Sequence, residues 1–119
     1  MKPHWELAFK PASQLRELII NKQVSPVDII KDSLKRLEEL NPTLNAFLTV
    51  TPEIAIEEAR KAEKAIMSKQ NLGLLHGLPI AIKDHISTAG IRTTSGSLIF
   101  KNNIPNKDDL IVQRLKSAG

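Results

Sequence analysis

The chain has 119 residues, 41% of them apolar and 25% charged, with no cysteine and a formal charge of +4 from 17 basic against 13 acidic side chains. That length holds one domain at most, the composition is that of a folded soluble protein rather than a disordered one, and the missing cysteine excludes disulfides, thiolate nucleophiles and sulfur-ligated metals. Trp5, Phe9, Phe47 and Phe100 are the whole aromatic set, so the core must be aliphatic and no stacking platform for nucleic-acid bases is evident.

After a short lead, Leu15, Leu18 and Ile19 recur at helical spacing and predict a first helix over about 13–21. Ser25 can cap a second helix, Pro26 fits the first helical position where its missing N–H is not needed, and Asp28 follows three residues after the cap. Val27, Ile30, Leu34 and Leu37 form its apolar face, Lys31, Asp32, Lys35, Glu38 and Glu39 take the rest, and Asn41-Pro42 should end it near Leu40. Residues 46–50 are short, apolar and partly β-branched, which predicts a strand. Thr51-Pro52 repeats the cap-and-proline signal for a third helix, whose narrow stripe is Ala55, Ala59, Ala62, Ala65 and Ile66, and residues 71–73 break it.

The apolar run 78–82 is too short for a typical helix and lacks polar alternation, so it reads as an interior strand covered on both faces, with Pro79 at its entrance and Lys83 at its end. Residues 85–106 have loop chemistry, with one turn of structure at 97–100. Asp108 or Asp109 then caps a last helix carrying Ile111, Val112 and Leu115, which Gly119 terminates. Strand, helix and strand in that order predict an α/β protein, yet two strands are too few for a covered sheet and the neighbouring strands must come from elsewhere.

The basic residues are interspersed with glutamates instead of forming a stripe, which argues for solvated helix faces and against nucleic acid as a direct partner. No apolar run approaches the roughly 20 residues needed to span a bilayer and no signal-peptide pattern opens the chain, so a cytoplasmic protein without a membrane partner is expected. His4, His76 and His85 are scattered without metal-site spacing. Neither a Gly-x-Ser-x-Gly elbow nor a glycine-rich phosphate loop occurs.

Lys83 carries the chemical question. A lysine ending a strand can pack its stem and keep its ammonium in water; shielded from water, the same group favours the neutral amine and becomes a base. Moving a lysine from about 10.4 to near 7 costs roughly 4 to 5 kcal/mol, which only a well-shielded site imposes. Asp84 need not pair with it, because neighbours on a strand point to opposite faces. The run Thr93-Thr94-Ser95-Gly96-Ser97 suits either a turn or a set of catalytic hydrogen bonds.

Ser25-Pro26, Asn41-Pro42-Thr43-Leu44-Asn45-Ala46-Phe47, the alanine-rich third helix, Leu75-His76-Gly77-Leu78-Pro79-Ile80-Ala81-Ile82-Lys83-Asp84, Gly90, Thr93-Thr94, Gly96-Ser97 and the run from Asp109 through Val112 and Leu115 to Ala118-Gly119 resemble, in order, the N-terminal segment of the amidase signature hydrolases. The resemblance implies an α/β fold, a mixed β-sheet flanked by helices, of which residues 1–119 would be an incomplete N-terminal portion of one domain. It implies a Ser, cis-Ser, Lys triad in which Lys83 matches the catalytic lysine, acting on a small-molecule carboxamide with no cofactor and no metal. Both serines and the oxyanion loop would lie beyond Gly119, so this chain alone should be inactive; Ser95 and Ser97 match the family's turn and not its nucleophile loop. His85 and Leu110 depart from the common pattern. The second reading is the amidase-type subunit of an aspartyl/glutamyl-tRNA amidotransferase, working with its partner subunits. The third is a noncatalytic module that docks on a complementing C-terminal fragment, motivated by an unpaired sheet edge.

Overall fold

A computed structural model describes residues 5–119, so His4 lies outside the described residues. Five α-helices follow in chain order: α1 (Trp5–Ala8), α2 (Ala12–Ile20), α3 (Pro26–Leu44), α4 (Pro52–Met67) and α5 (Leu110–Ser117), with a single 3-10 turn at Leu98–Phe100. The four longer helices and the turn answer the predicted elements; α1 falls in what reads as a lead.

Ser25 caps α3 as its sequence suggests, with extended backbone and its Oγ accepting the Val27 N–H at 3.0 Å. The same hydroxyl donates to Glu63 Oε1 at 2.5 Å, so the cap also ties α3 to α4, against which α3 packs. The helix runs past Pro42 to Leu44. A proline in the last turn costs one backbone bond there, and the helix closes instead on Asn45, a left-handed residue (φ 50°) whose N–H reaches the Asn41 carbonyl at 2.7 Å. The Asn41 side chain then holds the exit: its Oδ1 accepts the Ala46 and Phe47 N–H groups and its amide donates to the Phe47 carbonyl.

Ile19, Ile29 and Ile66, from α2, α3 and α4, form the buried core, with Leu7, Leu15, Val24, Leu72 and Leu78 packed on it. The deepest apolar residue of α3 is therefore Ile29, off the predicted stripe. That stripe is only half-buried: Ile30, Leu34 and Leu37 line a groove whose opposite wall is Pro79, Ile80 and Ala81.

Neither predicted strand forms; no β-ladder exists among the described residues, which are helices and loops. Residues 46–50 are tied by side chains instead, from Asn41 at one end and Arg92 at the other, where the guanidinium reaches the Leu48 carbonyl at 3.4 Å. The amides of Ile80, Ala81, Ile82 and Lys83 find no acceptor among the described residues. A strand exists only by pairing, and the described residues supply nothing to pair with. The α/β expectation is corrected accordingly for this chain.

The entrance to 78–83 is nevertheless fixed closely. A Cβ on Gly73 would sit 1.9 Å from the Ala118 carbonyl oxygen, and one on Gly77 (φ 76°) 2.9 Å from Pro26 Cγ, so the turn threads between the end of α5 and the start of α3. Leu75 N–H donates to the Ala118 carbonyl at 2.9 Å, and His76 Nε2 lies 2.9 Å from the Ala62 carbonyl, which can only accept, making Nε2 the protonated nitrogen.

The accessible surface is 8659 Å² and the radius of gyration 15.1 Å. A monomer of this mass is expected at about 6,400 Å² and a domain of this length at about 13.5 Å. Much of the surplus is apolar: among the described residues sixteen large hydrophobic side chains are exposed, Leu98 and Ile99 at 86% and 88%.

Candidate active site

Along 81–84 exposure alternates. Ile82 and Asp84 are half-buried, whereas Ala81 and Lys83 are exposed. That is the period of a strand with one face covered. Upstream, Leu78 and Ile80 line the same groove as Ile82, although Ile80 remains 48% exposed at its rim. The facing walls are Ala59 and Ala62 of α4 and Val112 and Leu115 of α5, so the alanine stripe of α4 does what its narrowness suggests and lets this segment approach. Cover on both faces, expected from the unbroken apolar run, is half supplied.

Lys83 ends on the uncovered side. Its side chain is exposed and makes no hydrogen bond or ion pair among the described residues. The helices of this chain do not provide the shielding that would make it a base, because they pack on the opposite face of the segment.

Its backbone, by contrast, is held firmly. The Lys83 carbonyl accepts Ile86 N–H at 2.9 Å and the Asp84 carbonyl accepts Ser95 N–H at 3.0 Å. Asp84 Oδ1 accepts Thr94 N–H at 2.8 Å, and Oδ2 accepts both the Thr94 hydroxyl and, at 3.2 Å, Gly96 N–H. The hydroxyl-rich run is thus a turn wrapped round a carboxylate. Ser95 (φ 52°) and Gly96 (φ 66°) are both left-handed; for serine this costs about 1 kcal/mol, offset by the donors the conformation aims at Asp84. Thr93 and Thr94 are buried beneath it. Ser97 Oγ accepts Ile99 N–H and caps the 3-10 turn, and so is occupied structurally.

The rest of the loop is tied down by a second pair of carboxylates. Asp108 Oδ1 accepts Ala89 N–H at 2.7 Å and its Oδ2 meets Lys116 Nζ at 2.7 Å; Asp109 Oδ2 accepts Ser87 N–H at 2.7 Å. Asp109 occupies the N-cap of α5 but its side chain caps nothing there, having turned to the loop. Arg92 crosses from the loop to the segment before α4, donating to the Lys101 carbonyl while Thr49 Oγ1 donates to the Arg92 carbonyl at 3.3 Å. Asp84, Arg92, Asp108 and Asp109 all reach partners roughly ten to forty residues away, a range at which no local pattern announces a contact.

The Thr94 hydroxyl, followed by the Thr94 and Gly96 amides and the Arg92 charge, holds the Asp84 carboxyl below the usual carboxylate range against an opposing cost of burial. Lys116 and then the Ala89 amide do the same for Asp108. A group depressed in the folded state stabilises the fold above its unfolded value, about 3.9, and loses that contribution as pH falls through its folded value. The Thr94, Gly96 and Ala89 amide resonances should therefore stay in place from pH 7 to about 5 and move only below about pH 4. An inflection above about pH 4.5 would contradict the two clamps.

Among the described residues no group of three or more His, Asp or Glu side chains is placed to hold a metal ion, and no helix is long and apolar enough to cross a membrane.

The family model for Amidase matches residues 28–119. The amidase-type subunit of the glutamyl-tRNA(Gln) amidotransferase of Carboxydothermus hydrogenoformans is 41% identical over 114 residues, covering 96% of this chain and 24% of the relative. The corresponding polypeptide of Trichodesmium erythraeum is 42% identical over 107 residues, covering 90% and 22%. Among solved structures, a bacterial aryl acylamidase of the amidase signature family superposes with a TM-score of 0.85 at 25% identity, over 92% of this chain and 23% of its own. A component of a vestigial protein complex bearing on the origins of an s-triazine catabolic enzyme superposes with a TM-score of 0.87 at 30% identity, over 92% and 24%. The chain belongs to the amidase signature family. It spans about a quarter of the length of the relatives it matches.

Proposed function

We propose that this chain carries the general base of an amide hydrolase, Lys83, within one amidase signature domain whose remaining elements are not in residues 1–119. The observation that carries the reading is the Lys83-Asp84 corner: five hydrogen bonds fix its backbone and the Asp84 side chain while the lysine amine is left unengaged. A side chain built only for structure would be spent on a partner; this one is presented.

In the completed site a serine hydroxyl attacks the amide carbonyl carbon as its proton passes through a second serine hydroxyl to the Lys83 amine. The C–N bond then breaks, the departing nitrogen takes that proton back, and the acyl-serine ester is hydrolysed by water to the free acid. Lys83 needs neither cofactor nor metal for this. The bare face of 78–83 is where strands of the remaining domain would lie, and their cover would exclude water from the amine.

The relatives named as amidotransferase polypeptides favour the side-chain amide of glutamine as substrate, with ammonia passed to partner subunits. The complete enzyme containing this sequence should release ammonia from glutamine. Hydrolysis of simple carboxamides without glutamine turnover would assign a free-standing amidase instead. Absence of both, together with a cooperative melt of residues 1–119 alone, would leave a noncatalytic module and defeat the proposal.

A further inference from the structure

Asp84 sits beside the proposed base, yet its carboxylate faces away from it and into the turn. Oδ1 takes the Thr94 N–H and Oδ2 takes the Thr94 hydroxyl and Gly96 N–H, while the Asp84 carbonyl takes Ser95 N–H. All three residues of one turn are thereby gathered by one residue, and that residue is covalently adjacent to Lys83. The amides of segment 80–83 have no acceptor upstream of this point, so no backbone ladder among the described residues fixes how far the chain advances before Lys83 emerges. Alternation along 81–84 sends the Asp84 side chain inward and Lys83 outward. Anchoring the first therefore sets where the second emerges.

The geometry points to Asp84 as a positioning residue: by seating in the Thr94–Gly96 turn, its carboxylate fixes the location of the Lys83 amine for proton transfer. This rests on the reading of Lys83 as a base. The consequence is specific, since a displacement of about 1 Å at a reacting group can cost up to about 10²-fold in rate without weakening substrate binding.

The experiment compares Asp84→Ala and Asp84→Asn with the parent, both in the complete enzyme and in the 119-residue chain. Asparagine keeps the Oδ1 acceptor for Thr94 N–H and offers the Thr94 hydroxyl a donor, while losing the acceptor for Gly96 N–H. For Asp84→Ala, kcat should fall about 10- to 10²-fold with KM changed less than about twofold, and Asp84→Asn should recover most of the loss. In the 119-residue chain the alanine variant should shift the Lys83 amide resonance together with those of Thr94, Ser95 and Gly96, while resonances of α3 stay in place.

Unchanged kcat in Asp84→Ala would overturn the assignment. So would a Lys83 resonance that ignores the loss of the turn, or parallel loss of activity and of the α3 signals, which marks a merely structural role. Should the parent enzyme hydrolyse no amide, the function reading fails, and the Lys83 resonance in the 119-residue chain still decides whether Asp84 sets its position.

Discussion

Replacing Lys83 with methionine should lower amide hydrolysis by the complete enzyme about 10²- to 10⁴-fold, the range that a positioned general base contributes. Methionine keeps a long, flexible, unbranched stem and removes only the amine. The Ile86, Ser95, Thr94 and Gly96 bonds involve the backbone and Asp84, so the corner survives the substitution. Ground-state binding has no stake in the amine, and KM should stay within a few-fold while kcat collapses. The same replacement at Lys101 or Lys107, also exposed and further along the chain, should leave turnover unchanged. A Lys83→Met enzyme that retains about a tenth or more of parent turnover would remove the base from the mechanism.

How much of the fold is legible in the sequence follows from the range of the interactions. Ser25-Pro26 announces α3 because cap, proline and helix start are adjacent, and the period of Leu15, Leu18 and Ile19 gives α2 to within a residue at each end. The end of α3 is less legible. Pro42 looks like a stop, but Asn41 and Asn45 close the helix one turn later through contacts that composition does not reveal.

Strands at 46–50 and 78–82 fail to form for a deeper reason. Apolar, β-branched runs state a preference, and a ladder needs a partner that these residues lack. The alternation of cover along 81–84 is that preference surviving without the pairing. It also explains why Lys83 is exposed where a base needs shielding: the helices cover the side of Leu78, Ile82 and Asp84, and the lysine is on the other.

The candidate site divides in the same way. Lys83 is legible, because a charge closing an apolar run stands out. The role of Asp84 is not, since its partners lie ten to twelve residues on and become neighbours only when the loop folds back. Ser95 and Ser97 read as turn residues and are found in one, with Ser97 capping and Ser95 left-handed over the carboxylate. The large exposed apolar surface belongs to the same picture. The buried apolar residues Ile19, Ile29, Ala59, Ile66 and Val112 are few for a chain of 119, and the unspent hydrophobic area is open to elements packed against it.

Backbone hydrogen exchange at residues 80–83 probes the enclosure of Lys83 most directly. In the 119-residue chain these four amides have no acceptor and should exchange freely, while those of Thr94, Ser95 and Gly96 and the interior of α3 are protected. In the complete enzyme the same four should slow by about 10³-fold or more as strands pair along them and the lysine becomes enclosed. Free exchange at 80–83 in an active complete enzyme would mean that catalysis proceeds with Lys83 on an open edge, and a base made neutral by burial between strands would be contradicted.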